Sequence, residues 1–130
     1  KLRLVLVEDQ QDNREMLRAI LELENCQVTT AADGQTGLDL IVNQCPDVAL
    51  IDIGLPNLDG YEVARRAKEQ LGERSGRLIA LTGYGREEDR ARVLAAGFDA
   101  HFVKPIKQSD IERILNETHA RKIAPGARSS

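Results

Sequence analysis

The most constraining feature of the sequence is the aliphatic run at residues 48–51, Val-Ala-Leu-Ile, which ends on the carboxylate of Asp52. A strand with one face in water alternates apolar and polar residues, whereas a strand buried on both faces is apolar throughout. Gly54 and Pro56 follow closely and are residue types that stop a strand. The run therefore predicts a buried strand. The carboxylate at its end either caps the following turn or belongs to a functional site.

Four more strand-like segments lie along the chain, and helix-like segments alternate with them. In the first helical segment, apolar residues recur at helical spacing, as at Leu17, Ile20 and Leu21. The predicted strands are residues 2–7, 27–31, 48–52, 78–81 and 99–103. The predicted helices are residues 12–24, a second that contains Leu38, Ile41 and Val42, a third that begins at Asp59-Gly60, residues 87–96, and a fifth that begins at Ser109. This alternation predicts right-handed βαβ crossovers and an α/β sandwich around a parallel sheet.

Polar residues mark the predicted starts of three helices. Asp33 and Asp59 have the position of N-caps, whose side chains accept hydrogen bonds from the first turn. Ser109 and Glu112 have the spacing of a capping box.

Length and composition limit the classes of function. A chain of 130 residues accommodates one domain, predicted at residues 1–120, with a flexible tail at residues 121–130. The net charge of -3 gives no electrostatic basis for binding nucleic acid. No apolar run reaches the length of a membrane span. Cys26 and Cys45 lack metal-ligand spacing, so we expect reduced thiols in a cytoplasmic protein.

Polar residues follow four of the predicted strands at their carboxyl ends. They are Glu8-Asp9, Asp52, Thr82 and Lys104. In open parallel sheets, ligands bind beyond the carboxyl ends of the strands, where the strand order reverses. Three carboxylates at one sheet edge would repel one another unless a cation lay among them. Mg²⁺ fits best because it prefers oxygen ligands, and no His or Cys falls among these residues.

The remaining two residues are those that a phosphoryl transfer requires. The ammonium group of Lys104 and the hydroxyl of Thr82, together with a metal, can stabilise a phosphoryl group. Asp52 is the best candidate nucleophile because it ends the most continuously apolar strand. Taken singly, each residue also has an ordinary structural explanation, as a surface charge, a strand-end cap or a helix N-terminal residue.

In combination, these motifs resemble the receiver domains of bacterial two-component response regulators. The resemblance covers about residues 2–119 and rests on an acidic pair, Asp-x-x-x-Pro, Thr-Gly and Lys-Pro in that order. It implies a flavodoxin-like (βα)5 three-layer sandwich with strand order 2-1-3-4-5. It also implies that Asp52 accepts a phosphoryl group from the phosphohistidine of a histidine kinase or histidine phosphotransfer domain.

The resemblance also implies roles for individual residues. Glu8, Asp9 and Asp52, with the backbone carbonyl of Gly54, would hold Mg²⁺. Lys104 would pair with the phosphoryl group, and its peptide bond to Pro105 would be cis.

Signal output depends, by the same resemblance, on Thr82 and an aromatic residue three positions before Lys104. That position, where receivers usually have Tyr or Phe, is His101 in this chain, so His101 is the candidate switch residue. Tyr84 is expected at the rim of the site. A homodimer through the face formed by the fourth helix, fifth strand and fifth helix is a further expectation.

Three functional alternatives follow. The leading one is a phospho-accepting signalling domain that catalyses its own phosphorylation and slow dephosphorylation but is not a metabolic enzyme. The second is a protein-interaction module that is never phosphorylated, and the third is a flavin- or nucleotide-binding sandwich. The third is weakened because no strand is followed by a glycine-rich phosphate loop. The sequence Gly54-Leu55-Pro56 resembles the corresponding segment of receivers attached to hybrid sensor histidine kinases. The chain is therefore expected to be either a stand-alone receiver or a piece of a larger protein.

Overall fold

A computed structural model describes residues 1–83 and 87–123 of the chain. The strands are β1 (Arg3–Val7), β2 (Gln27–Ala31), β3 (Val48–Asp52), β4 (Arg77–Thr82) and β5 (Ala100–Val103). The helices are α1 (Gln11–Leu23), α2 (Gly34–Gln44), α3 (Gly60–Leu71), α4 (Glu87–Ala95) and α5 (Gln108–Ile123), with a 3-10 turn at Gly72–Ser75. All strand pairs are parallel and the order is β2-β1-β3-β4-β5. The predicted fold class and strand order are confirmed.

The apolar run at residues 48–51 belongs to the central strand, β3, and every residue of that strand is buried. Successive side chains of a strand point to opposite faces of the sheet. Ala49 and Ile51 accordingly lie in one core, which α2, α3 and α4 cover, while Val48 and Leu50 lie in a second core, which α1 and α5 cover. The run has no polar alternation because β3 has a hydrophobic core on each side.

The starts of α2 and α3 confirm the two predicted N-caps. The Asp33 carboxylate accepts a hydrogen bond from the backbone N–H of Thr36 at 2.8 Å. The Asp59 carboxylate accepts one from Glu62 at 2.9 Å.

The predicted capping box of Ser109 and Glu112 is wrong, because α5 begins one residue earlier. The carboxylate of Asp110 reaches back to the backbone N–H of Lys107 at 3.0 Å and performs that function.

The end of α5 overlaps the tail predicted at residues 121–130. The helix continues to Ile123, so residues 121–123 are helical, and residues 124–130 lie outside the described part of the chain. The domain boundary at residue 120 stays a prediction. No helix within the described residues is long and apolar enough to cross a membrane.

A close backbone contact fixes the start of α3 against the end of β3. A Cβ atom added at Gly60 would lie 2.6 Å from both the carbonyl oxygen of Asp52 and the Cα of Ile53. Backbone atoms cannot move aside as a flexible side chain can. Glycine at this position therefore lets α3 pack directly on the segment that carries Asp52.

We expect Gly60→Ala to lower the free energy of unfolding by about 1–3 kcal/mol, the usual cost of overpacking. Gly83→Ala is the matched control, because no atom of the described residues other than its chain neighbours lies within 4 Å of the added methyl group. Its free energy of unfolding should stay within about 0.5 kcal/mol of the wild-type value. Urea denaturation of both variants provides the measurement, and equal stabilities would contradict the packing argument.

Candidate functional site

The predicted site residues meet at the carboxyl edge of the sheet. Glu8 directly follows β1, Asp52 ends β3, Thr82 ends β4, and Lys104 directly follows β5. These four strands are neighbours in the sheet. Parallel pairing therefore brings together residues that are as many as 96 positions apart in the sequence.

Lys104 lies between two carboxylates. Its Nζ is 2.9 Å from Glu8 Oε1 and 3.0 Å from Asp52 Oδ2. Burial by itself lowers the pKa of Lys104, but the hydrogen bonds to Glu8 and Asp52 outweigh that effect and hold the pKa above its ordinary value. Lys104 is therefore a fixed positive charge directed at the candidate nucleophile. The Lys104–Pro105 peptide bond is cis, as the resemblance implied.

Glu8 is fully buried, with 0% of its surface exposed. Oε1 accepts the Lys104 hydrogen bond and Oε2 accepts one from the backbone N–H of Gln10 at 3.1 Å. Burial raises the pKa of the Glu8 carboxyl, and the hydrogen bond from Lys104 opposes this shift without cancelling it. Both oxygens thus have partners, and the side chain has a defined orientation.

Each oxygen of Asp52 also has a hydrogen-bond donor. The backbone N–H of Gly54 donates to Oδ1 at 2.9 Å, and Lys104 donates to Oδ2. Gly54 is exposed, and a Cβ atom there would lie 3.5 Å from Oδ1. Glycine at this position adds no side chain of its own beside the carboxylate. The Gly54 backbone carbonyl stays a predicted metal ligand.

Three carboxylates are close enough to share a cation. One oxygen each from Glu8, Asp9 and Asp52 lie within 4.8 Å of one another. Asp9 is exposed, whereas the other two residues are buried. Hard oxygen donors in a partly open position are the set that Mg²⁺ uses when it keeps several water ligands. The residues present therefore fit the predicted metal.

No hydrogen bond joins the predicted switch pair, Thr82 and His101, in the described structure. Thr82 is 1% exposed, and its hydroxyl donates to the backbone carbonyl of Phe102 at 3.5 Å. His101 pairs with Ala80 in the β4–β5 ladder and is partly exposed. The switch role of His101 stays a prediction. Tyr84 lies outside the described residues.

Two features of the site had not been predicted from the sequence. One is a groove of about 370 Å³ beside Lys104, with Glu8 and Lys104 at its polar end. Its apolar part is lined by Met16, Leu17, Pro105 and Ile106. The groove forms where α1 approaches the loop after β5, and helical periodicity alone cannot predict that approach.

The second unpredicted feature is Arg14, whose guanidinium group contacts the loop that carries the acidic pair. Its Nη1 donates to the carbonyl oxygens of Glu8 at 2.9 Å and Asp9 at 3.4 Å. The sequence contains one indication of this contact, a basic residue six positions after Glu8 in the first turns of α1.

Comparisons with known proteins agree with this geometry. The family model of the response regulator receiver domain matches residues 4–116. An uncharacterized protein of Leptolyngbya boryana is 32% identical over 117 residues, which are 90% of this chain and 89% of that protein. The chain spans only 43%, 23% and 51% of the length of three other relatives, which are named as regulators.

Two solved structures share both sequence and fold with the chain. A CheY-like receiver domain protein of Methanospirillum hungatei is 31% identical, with a TM-score of 0.84 over 93% of this chain and 96% of that one. The receiver domain of a sensor histidine kinase of Pseudomonas aeruginosa is 34% identical, with a TM-score of 0.82 over 89% of this chain and 95% of that one. That structure contains a magnesium ion coordinated in its active-site cleft.

The raised pKa of Glu8 predicts a pH dependence of stability in the metal-free protein. A carboxyl group whose pKa is raised by folding contributes stability that is fully present below its unfolded pKa, near 4.5, and is lost as the pH rises through the folded pKa. Glu8→Gln removes this titration. The free energy of unfolding of Glu8→Gln, relative to wild type, should therefore increase between about pH 4.5 and about pH 7.

Urea denaturation at the two pH values measures this difference. Glu15→Gln, an exposed position on α1, controls for the loss of one carboxylate. A relative stability of Glu8→Gln that falls as the pH rises would show that the sign is wrong.

Proposed function

Because the chain belongs to the response regulator receiver domain family, we propose that Asp52 accepts a phosphoryl group from phosphohistidine in two-component signal transduction. The donor is a histidine kinase or a histidine phosphotransfer domain in the cytoplasm. The observation that carries this proposal is the contact of Lys104 with both Asp52 and Glu8 at the sheet edge. A charge-paired carboxylate with two hydrogen-bond donors and neighbouring acids is suited to phosphoryl transfer.

Residues of the chain itself form the bond to phosphorus and contact the phosphoryl oxygens. A carboxylate oxygen of Asp52 bonds to phosphorus while the phosphorus–nitrogen bond of the donor breaks, and the imidazole nitrogen leaves with the bonding electrons. Lys104 then pairs with a phosphoryl oxygen, and the hydroxyl of Thr82 donates a hydrogen bond to another. Glu8, Asp9, Asp52 and the Gly54 carbonyl would hold Mg²⁺, whose charge would neutralise part of the negative charge on the phosphoryl group.

The same site allows the phosphoryl group to be removed again by water. An acyl phosphate on Asp52 can be attacked by water, and Gly54 places no side chain over the carboxylate. The domain is therefore proposed to dephosphorylate itself slowly and to have no metabolic substrate. The magnesium ion in the Pseudomonas aeruginosa receiver domain supports the choice of metal.

The groove beside Lys104 is the proposed docking place for the phosphodonor protein. It joins the polar site directly, so a helix seated on its apolar part could present a histidine to Asp52. Met16 is 48% exposed at its edge. Pro105 is also exposed and lines the same groove, and neighbouring exposed apolar residues rimmed by polar groups are typical of a surface that a partner covers.

Output is proposed to pass through the face formed by α4, β5 and α5. Leu94 is 62% exposed and Val103 is 41% exposed on this face. A second copy of the domain, or another protein, would cover them in the phosphorylated state. Thr82 contacts the β5 backbone at Phe102, which provides a physical connection from the site to this face.

A non-phosphorylated interaction module is the second candidate function. The structure has the same fold in either case, so the distinction depends on the site. Glu8, Asp52 and Lys104 form a connected set, and a module that only binds a partner has no need of it. This observation favours the phospho-accepting function.

Incubation with acetyl phosphate and Mg²⁺ should add one phosphoryl group to the wild-type chain, measured as a gain in intact mass. Asp52→Asn should show no gain because the amide is a poor nucleophile. Asp39→Asn, at an exposed position of α2, should behave as wild type. A phosphoryl gain in Asp52→Asn equal to that of wild type would remove Asp52 as the acceptor, and no gain in wild type would favour the interaction module.

Met16→Asp should slow transfer from a histidine kinase that phosphorylates the wild-type domain by about tenfold, because it places a charge on the apolar lining of the groove. Its phosphorylation by acetyl phosphate should be unchanged because a small donor does not need the groove. Leu23→Asp, at an equally apolar and 86% exposed position of α1, should leave both rates unchanged. Equal effects of Met16→Asp on the two donors would contradict docking at the groove.

A further inference from the structure

We propose that Arg14 is a positioning residue that holds the β1–α1 loop in the shape needed for Glu8 and Asp9 to bind a divalent cation. The inference rests on the proposed function, because it concerns the metal site assigned there. Its basis is the contact of one guanidinium nitrogen with two successive backbone carbonyls, those of the acidic pair.

The loop leaves the sheet at the acidic pair. The backbone N–H of Glu8 still donates to Ala31 of β2 at 3.0 Å, but β1 itself ends at Val7. The carbonyl of Glu8 belongs to a residue with 0% exposure, so water cannot readily replace a lost partner. Arg14 supplies the donor at 2.9 Å. The guanidinium group therefore satisfies a backbone group that would otherwise be buried without a partner.

The start of α1 has no side-chain cap, so the contact of Arg14 with the loop contributes more to holding the helix start in place. Helix N-termini are usually fixed by a side chain at the N-cap position. Gln10 occupies that position and forms no side-chain capping hydrogen bond. Arg14 instead reaches back from the second turn of α1, and its backbone N–H also closes the first turn on the Gln10 carbonyl at 2.9 Å. One residue therefore links the helix start to the acidic loop.

The position of Asp9 depends most on the contact of Arg14 with the loop. Asp9 is exposed, so packing does not hold its side chain. The direction of its carboxylate is therefore set by its backbone, whose carbonyl oxygen lies 3.4 Å from Arg14 Nη1. A metal ligand on an exposed loop needs such support to keep a defined position.

Electrostatics and positioning predict opposite effects for the loss of Arg14. A positive charge near three carboxylates repels a cation, so its removal alone would tighten Mg²⁺ binding. If Arg14 positions the loop, its removal weakens binding because the ligands lose their arrangement. The direction of the change thus identifies the mechanism.

The experiment compares Arg14→Met with Arg18→Met by isothermal titration with Mg²⁺. Both variants lose one positive charge from α1, but Arg18 pairs with Glu22 on an exposed surface. Arg14→Met should raise the dissociation constant for Mg²⁺ about tenfold, the lower range for groups that orient metal ligands. Arg18→Met should leave it unchanged, and Arg14→Lys should recover part of the affinity because the ammonium group can still donate to one carbonyl.

A second measurement does not depend on the metal. Amide hydrogen exchange of the metal-free protein should be faster at Asp9 and Gln10 in Arg14→Met than in wild type, with the amides of β3 unchanged. Normal exchange together with normal or tighter Mg²⁺ binding in Arg14→Met would overturn the proposal. If that variant did not fold, the same two measurements on Arg14→Lys would decide, because wild-type values there would also overturn it. Absence of Mg²⁺ binding by wild type would instead contradict the proposed function, and the exchange data would still test Arg14.

Discussion

The contact of Lys104 with the carboxylates of Glu8 and Asp52 is the interaction on which the rest of the site depends. Burying ionised groups is costly, and their attraction offsets the cost only when the geometry is good and the remaining oxygens have donors. Here the backbone N–H groups of Gln10 and Gly54 supply those donors. With the exposed carboxylate of Asp9 close by, the group still has more negative than positive charge. That imbalance makes the site receptive to a cation, and the two cores on either side of the sheet provide the stability to maintain it.

The fold positions these charges through backbone contacts rather than through long side chains. Parallel pairing places the ends of β1, β3, β4 and β5 at one edge, so each candidate site side chain lies at a strand end or within two residues after it. Gly60 lets α3 approach the Asp52 carbonyl, and Asp59 caps that helix. The candidate nucleophile is therefore held from both sides, by the central strand before it and by a helix start soon after it. Rigid support of this kind keeps a reacting group within a narrow range of orientations.

The sequence predicted the parts of the molecule that depend on local pattern. The apolar run of β3, the alternation of strands and helices, and the caps Asp33 and Asp59 all follow from the chemistry of neighbouring residues, and the structure confirms them. The strand ends also predicted which charges meet. What local pattern could not predict was how they meet. The Lys104 side chain could have pointed into solvent, and Arg14 could have been an ordinary surface residue of α1. Both contacts depend on the angle at which a helix or loop packs, which is set by the whole core.

The position of Thr82 indicates how phosphorylation could affect a distant face even though no hydrogen bond joins His101 to it in the described structure. The Thr82 hydroxyl has one proton, which can be donated to one acceptor at a time. In this structure the acceptor is the carbonyl of Phe102 in β5; under the proposed function a phosphoryl oxygen, which is charged, would be the stronger acceptor. Engagement of the phosphoryl group would then remove a hydrogen bond from β5, next to His101. The Phe102 ring lies 5.6 Å from the guanidinium carbon of Arg113 on α5, so a shift of the β5 backbone would reach that helix through Phe102. Under the proposed function, the first step of output would therefore depend on the backbone of β5 at Phe102 rather than on the side chain of residue 101.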